Sequence, residues 1–308
     1  MYNVFIDGKE GTTGLQIFDR LGKRGDIKII TLPEELRKDL SARKDAVNAA
    51  DVVFLCLPDS AAVETVSLVE NEKVKIIDAS TAHRTNPDWA YGFAELSKAH
   101  RQRIARSNRI ANPGCYASGF ISLVYPLIKG GWVNADYPFV CHAVSGYSGA
   151  GKKGIAQYEA TDRSDLFQSP RLYALTLSHK HIPEMMNECG LSVKPIFNPY
   201  VCDYYCGMTV SVPLFVSMMN KKVTVTELSE YYTEFYGDNH FISVGKEESG
   251  FIAANVLTGT NRLEILVNGN EEQLLLSARF DNLGKGASGA AVQNMNIALG
   301  LDETLGLI

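Results

Sequence analysis

Asn112-Pro113-Gly114-Cys115-Tyr116-Ala117-Ser118 sets one cysteine between a turn and an apolar run. The run (Phe120, Ile121, Leu123, Val124, Leu127, Ile128) repeats at helical spacing, while Pro113 and Gly114 resist helix and force a turn before it. Cys115 is therefore predicted at a helix N-terminus, where free backbone N–H groups and the helix dipole favour thiolate over thiol. A thiolate there is a nucleophile; a buried packing thiol is the ordinary alternative. Ser178-His179-Lys180-His181-Ile182-Pro183-Glu184 brings two imidazoles to a helix start. Either His179 or His181 could carry protons for Cys115, and the same pair could instead cap a loop or form half a metal site. No third ligand at suitable spacing presents itself, and Cys202 with Cys206 lacks a second pair at zinc spacing, so no metal is expected. Arg84 closes the polar run Asp78-Ala79-Ser80-Thr81-Ala82-His83-Arg84, where a guanidinium could hold phosphate or carboxylate, or simply be a solvent-facing loop arginine. Ser145-Gly146-Tyr147-Ser148-Gly149-Ala150-Gly151-Lys152-Lys153 has the makings of an anion nest around Ser148. It is not a Walker loop, because Lys153 stands where that motif requires Ser or Thr.

These groups need a frame, and the N-terminal sequence supplies one. Val4-Phe5-Ile6 reads as a strand core, followed by Gly8, Gly11 and Gly14 as G-x-x-G-x-x-G and then the helical pattern Leu15, Ile17, Phe18, Leu21. Strand, glycine loop and helix in that order form a variant dinucleotide fingerprint, with Gly8, Gly11, Thr12, Thr13 and Gly14 as candidate cofactor contacts. Further apolar runs at Ile27–Leu32, Val52–Leu57 and Val74–Ile77 alternate with helical patterns, which predicts a parallel sheet covered on both faces. Ligands of such sheets lie at strand C-terminal ends, so Pro58 and Ser80 join the cofactor candidates. After Cys115, longer strand patterns (Phe139–Val144, Thr209–Val216, Arg262–Val267) and the hairpin signal Asn268-Gly269-Asn270 predict a mixed or antiparallel sheet. Helices are expected near Gly154–Arg163, Ile182–Cys189 and Val225–Tyr236. A last helix from about Gly289 is expected to return to the first domain, giving a dinucleotide-binding domain of residues 1–114 with 286–308 and a catalytic and oligomerisation domain of residues 115–285. The fold class is thus α/β, a Rossmann-type domain joined to an α+β domain.

Composition narrows the partners. The 308 residues carry net charge −5 without a Lys/Arg run, which argues against nucleic acid. No apolar stretch approaches the roughly 20 residues that span a bilayer, and the N-terminus lacks a signal peptide's basic and apolar regions, so a cytoplasmic protein is expected. Six scattered cysteines suit a reduced compartment.

A dinucleotide fold, a helix-start cysteine, a histidine pair and anion-binding loops fit reduction of an activated acyl group. The thiolate would expel phosphate from an acyl phosphate to leave a thioester, and a nicotinamide hydride would then reduce it to an aldehyde. A cysteine–histidine hydrolase would not need the glycine loop, and a nonenzymatic dinucleotide sensor would not need Cys115.

Phe5–Gly14, Ile77–Arg84, Tyr91-Gly92-Phe93-Ala94-Glu95-Leu96, Asn112–Tyr116 and His179–Glu184, in this order, resemble the short-form N-acetyl-gamma-glutamyl-phosphate reductase family of arginine biosynthesis. That resemblance implies Cys115 as nucleophile, His179 or His181 as acid and base, and NADP as cofactor. It implies an acyl phosphate, N-acetyl-L-glutamyl 5-phosphate, as substrate. It further implies a glyceraldehyde-3-phosphate-dehydrogenase-like catalytic fold and a homodimer or homotetramer. Aspartate-semialdehyde dehydrogenase is a sister with the same mechanism. Arg84 and Asn112 are the implied substrate contacts, Ser148 and Glu184 are further candidate substrate contacts, and Gln293 or Asn294 is the implied nicotinamide contact. One feature departs from the pattern: Glu34 follows the second strand at the spacing where an acidic residue usually marks NAD. The basic residues Arg37, Lys38 and Arg43 nearby lean the other way.

Overall fold

The computed structural model describes residues 1–246 and 250–307, which form two compact units, residues 1–114 with 287–308 and residues 115–286. The first unit runs β1 (Tyr2–Asp7), α1 (Thr12–Leu21), β2 (Ile27–Ile30), α2 (Leu40–Ala49), β3 (Val52–Leu55), α3 (Asp59–Ser67), β4 (Lys75–Asp78), β5 (Ala90–Tyr91), α4 (Lys98–Arg106) and β6 (Arg109–Ala111). Its six strands are all parallel in the order β2-β1-β3-β4-β6-β5. The order reverses direction at β1/β3, so the loops after those two strands flank the crevice where such sheets hold ligands. Both faces are covered, which is why β3 can be apolar and buried at every position. Phe5, Val47, Val53, Leu55 and Ile76 form part of one of its core clusters.

The second unit contains α5 (Cys115–Lys129), β7 (Val140–Gly146), α6 (Gly151–Glu159), β8 (Arg171–Leu172), α7 (Ile182–Cys189), β9 (Ile196–Cys202), β10 (Met208–Phe215), α8 (Val225–Tyr236), β11 (Ile242–Val244), β12 (Leu263–Gly269) and β13 (Gln273–Phe280). The chain then enters α9 (Gly289–Ala298), which belongs to the first unit. The seven strands form a mixed sheet, β11-β12-β13-β10-β7-β9-β8. Met208, Val210, Val212 and Leu214 are buried along one face of β10 and pair across β13 with Phe280, Ala278, Leu276 and Leu274, which are also buried. Among the alternate residues Pro213, Phe215 and Leu275 are exposed while Thr209, Ser277 and Leu266 are buried, so the second face is open only towards the Phe215 end of β10.

Helix α5 carries Cys115 and must be held firmly although Pro126 interrupts it. Proline has no N–H to return to Ser122 O, and Tyr236 Oη donates to that carbonyl at 2.9 Å. Tyr232 Oη donates to Leu123 O, and Tyr231 Oη to Pro126 O at 2.7 Å. One tyrosine-rich face of α8 thus satisfies the carbonyls around the break. At the other end Gly119 lets α5 approach β10, since a Cβ there would stand 2.5 Å from Val210.

Candidate active site

Cys115 is the first residue of α5 and half-buried. Gly286 leaves room beside it, because a Cβ at 286 would lie 2.9 Å from Cys115 Cβ. The thiol lines a cavity of about 340 Å³ within the second unit, together with Tyr116, Ser145, Gly149, Tyr173 and His179. The His179 ring is held edge-on by Tyr116 and Tyr173, each at 5.7 Å between centroids, and by Phe197 at 5.1 Å. Its Nδ1 accepts the His181 backbone N–H at 3.1 Å, so the neutral ring carries its hydrogen on Nε2. Tyr173 reaches this cluster through a turn closed by Leu177 N donating to Ala174 O at 2.9 Å, with Ala174 and Leu177 both left-handed at φ 56° and 54°. Left-handed backbone at non-glycine residues is strained and gathers at functional sites. The Tyr116 and Tyr173 hydroxyls hydrogen-bond each other, and burial above all, with the Cys115 sulfur adding to it, raises both far above the ordinary tyrosine range. They remain protonated across the working pH range. Tyr116 and Tyr173 are not among the expected site residues, and Ser145 is the first residue of the expected anion nest.

Several expected contacts stand elsewhere. His181 caps α7 and is buried behind His179, 4.7 Å ring to ring, and does not line the cavity. Glu184 is buried in the first turn of α7. Ser148 is wholly buried: its hydroxyl accepts from Asn282 Nδ2 at 2.8 Å and from the Cys206 thiol at 3.2 Å. It holds the loop whose next residues, Gly149 and Ala150, line the cavity, and so supports the site from behind.

In the first unit a cavity of about 430 Å³ opens at the strand ends, lined by Gly8, Gly11, Thr31, Glu34, Arg37 and Cys56 among others. Gly8 is left-handed at φ 86°, and a Cβ there would meet Cys56 O at 2.4 Å. Gly14 permits the same close turn, with Gly8 O 2.5 Å from an added Cβ. Gly11 differs: its φ of −71° suits any residue and its nearest neighbour would be 3.4 Å away. The chain's own packing does not require a glycine at 11, whereas a pyrophosphate lying against the loop would. Thr12, Thr13 and Gly14 begin α1 just outside that lining, and Pro58 is the exposed N-cap of α3. Ser80 is turned inward onto Asp78, its N–H and hydroxyl both donating to that carboxylate at 2.8 Å.

Arg84, the expected substrate contact, is not the solvent-facing loop arginine that was its alternative. It is buried, with Nε donating to Asn112 O at 2.9 Å and Nη2 to Ala79 O at 3.0 Å, so it ties the loops after β4 and β6 together. Asn112 is also spoken for: Nδ2 donates to Ala287 O at 3.0 Å and Oδ1 accepts from Asn294 Nδ2 at 3.1 Å. Gln293 and Asn294 face inward on α9, Gln293 Nε2 bonding Glu95 and Glu303, and Asn294 Nδ2 bonding Gly92 O as well as Asn112. These amides organise the segment that leads to Cys115. Arg43, counted among the basic residues near the ribose end, is buried against Asp7.

Residues 4–104 match the semialdehyde dehydrogenase NAD binding domain, and residues 115–282 match the semialdehyde dehydrogenase dimerisation domain. An N-acetyl-gamma-glutamyl-phosphate reductase of Brucella ovis is 48% identical over 96% of this chain and 98% of its own length. The chain belongs to the semialdehyde dehydrogenase family, in its N-acetyl-gamma-glutamyl-phosphate reductase branch. A second member of that branch, N-acetyl-gamma-glutamyl-phosphate reductase 2 of Pseudomonas putida, is 46% identical over 96% of each chain. Among solved semialdehyde dehydrogenases, aspartate semialdehyde dehydrogenase II of Vibrio cholerae superposes with TM-score 0.72 at 14% identity, covering 97% of this chain and 98% of its own. The enzyme from Francisella tularensis also gives 0.72, at 12% identity, covering 96% and 99%. At such identities they establish the shared semialdehyde dehydrogenase fold. A family member of this kind takes a nicotinamide dinucleotide and oligomerises through its second domain, and among the described residues no helix is long and apolar enough to cross a membrane.

Proposed function

We propose that the chain reduces N-acetyl-L-glutamyl 5-phosphate to N-acetyl-L-glutamate 5-semialdehyde, releasing phosphate and using NADP. The observation that carries this reading is the sharing of one cavity by the helix-start thiol of Cys115 and the His179 ring, in a chain 48% identical to a reductase of that name. Cys115 Sγ attacks the acyl carbon; as the C–S bond forms the bond to the phosphate oxygen breaks, leaving a thioester and inorganic phosphate. A nicotinamide dinucleotide held on the loop of Gly8, Gly11 and Gly14 would supply the hydride that reduces the thioester, and breaking the C–S bond would then release the aldehyde and restore the Cys115 thiolate.

In this reading Cys115 attacks as the thiolate that its helix-start position favours, and His179, whose Nδ1 accepts a main-chain N–H, donates through Nε2–H to the acyl oxygen as that gains charge. His181, buried behind His179 at 4.7 Å ring to ring, holds that imidazole in place. Gly11, free of any packing demand, and the close turn at Gly8 and Gly14 support a pyrophosphate on the α1 loop. Arg84 and Asn112 act by fixing the residues before Cys115.

Given N-acetylglutamate semialdehyde, phosphate and NADP, the protein should generate reduced nicotinamide, followed by its absorbance, with aspartate semialdehyde a far poorer substrate. Absence of turnover with the acetylated aldehyde would overturn the assignment.

We also propose a homodimer formed over the open part of the mixed sheet's second face. Phe215, Leu275 and Ile196 are 53%, 37% and 48% exposed on that face, an apolar set that water does not favour. Phe215→Asp should shift the sedimenting species to the monomer; an unchanged sedimentation coefficient would exclude this face.

A further inference from the structure

The cavity of the first unit carries its charges in an arrangement that sequence spacing alone misreads. Glu34 stands where an acidic residue would accept the adenosine ribose hydroxyls of NAD. Its carboxylate is occupied: Arg37 Nη2 lies 2.6 Å from Glu34 Oε1, Arg37 Nε donates to Glu34 O at 3.4 Å, and Arg37 Nη1 lies 3.4 Å from Glu10 Oε1. All three side chains line the same cavity, beside the glycine loop and Thr31 at the end of β2.

We propose that Arg37 reads the 2′-phosphate of NADP, and that Glu34 and Glu10 hold its guanidinium until the phosphate takes their place. This rests on the NADP reading given above. The other cations near the loop are less suited. The Lys9 ammonium sits 3.7 Å over the Phe18 ring, and the Arg43 guanidinium is buried against Asp7, Glu64 and Thr65. Lys38 lines the cavity too, but as a flexible point charge on an exposed side chain. Arg37 alone among the cations lining this cavity offers a planar fork matched to two phosphate oxygens.

The carboxylates that hold the fork are readily displaced. Glu34 and Glu10 side chains are 86% and 52% exposed, and ion pairs at such exposure contribute little. A phosphate brings more charge and two aligned acceptors, so it wins the exchange, and the released carboxylates return to water. NAD offers no such compensation: to use Glu34 as a ribose acceptor it must separate Glu34 from Arg37 and leave the guanidinium facing a neutral sugar. Glu34 therefore acts against NAD as a partner of Arg37, the opposite of what its position suggests.

The test is equilibrium binding, by calorimetry, of NADP, NAD and 2′,5′-ADP to the full chain, its Arg37→Ala variant and its Glu34→Gln variant. Arg37→Ala should weaken NADP and 2′,5′-ADP by about 10-fold or more, the loss of charge-assisted hydrogen bonds, while NAD changes by less than about 3-fold. Glu34→Gln should move NADP the other way, to tighter binding, because the fork loses its competitor. Equal weakening of NADP and NAD by Arg37→Ala, no weakening of either, or weaker NADP binding by Glu34→Gln would overturn the proposal. Wild-type protein that binds NAD as tightly as NADP would instead overturn the cofactor reading and this inference with it, and that result is visible before any variant is made. Both side chains sit on the surface of the loop, and unchanged thermal unfolding would show that the variants are folded.

Discussion

Cys115→Ser should abolish turnover, lowering kcat by about 10⁴-fold or more, because removing the covalent nucleophile removes the step that splits the displacement. NADP affinity should stay close to that of the wild type, since the residues expected to hold the dinucleotide lie in the other unit. The substitution is nearly isosteric and the position half-buried, so the fold should tolerate it. A serine hydroxyl is not ionised at neutral pH, and neither a helix N-terminus nor a nearby imidazole brings it within reach of a thiolate's nucleophilicity. The same reasoning gives a second readout that needs no substrate. Burial pushes the Cys56 thiol up to about 12 and the Cys206 thiol up to about 11, and raises Cys141, Cys189 and Cys202 as well. A raised value means the thiol form persists until the pH climbs to it, so near pH 8 these five stay largely unreactive. Iodoacetamide at that pH should therefore add one group per chain, at Cys115, and mass spectrometry of the peptides would locate it. A serine variant that kept most of its rate, or a label distributed over the other cysteines, would sink the covalent mechanism.

What could be read from the sequence was whatever local chemistry dictates. A strand buried on both faces needs a continuous apolar run, so β1 to β4 declared themselves, and a thiol after Pro-Gly could only begin a helix. Helices α7 and α8 fall at the expected residues, while α6 begins three residues earlier than expected, at Gly151. Strand β9 was hidden by Pro199, which argues against a strand. The Pro199 carbonyl accepts from Tyr173 N at 3.1 Å, so its nitrogen also faces the two-residue edge strand β8, and no bond to β7 is lost. The site was less legible because its polar groups find partners far along the chain. Ser148 and Asn282 are separated by 134 residues, Gln293 and Glu95 by 198, and nothing in either local pattern announces the pairing. Motif position therefore suggested ligand contacts where the fold uses the same side chains as struts. Tyr173 was missed for the complementary reason. It reaches Cys115 through left-handed backbone at Ala174 and Leu177, and neither residue type signals such a turn.

Arg43→Ala should cost about 3–5 kcal/mol of stability, the usual consequence of stripping the partner from a buried charge. Asp7 ends β1, one residue before the first glycine of the loop, and its Oδ2 accepts from Arg43 Nε at 3.2 Å, Arg43 Nη2 at 3.0 Å and Thr65 Oγ1 at 2.9 Å. The Arg43 and Asp7 side chains are 8% and 7% exposed. Three elements, β1, α2 and α3, thus meet at one carboxylate beneath the dinucleotide loop. Without the guanidinium, the Asp7 carboxylate is left away from water with no cation beside it, which opposes folding. Lysine at 43 should rescue little, because one ammonium cannot replace a fork that serves Asp7, Glu64 and Thr65 together. The double variant Asp7→Asn with Arg43→Met should recover much of the loss, since it removes the charge along with its partner. Urea unfolding of the single and double variants measures all of this, and a loss below about 1 kcal/mol for Arg43→Ala would mean that water reaches Asp7 and the pair is not truly buried. Below its unfolding midpoint the single variant should weaken NADP binding before it lowers kcat at saturating cofactor. The ion pair sets the path of the chain into Gly8, and the chemistry at Cys115 is carried by a different unit.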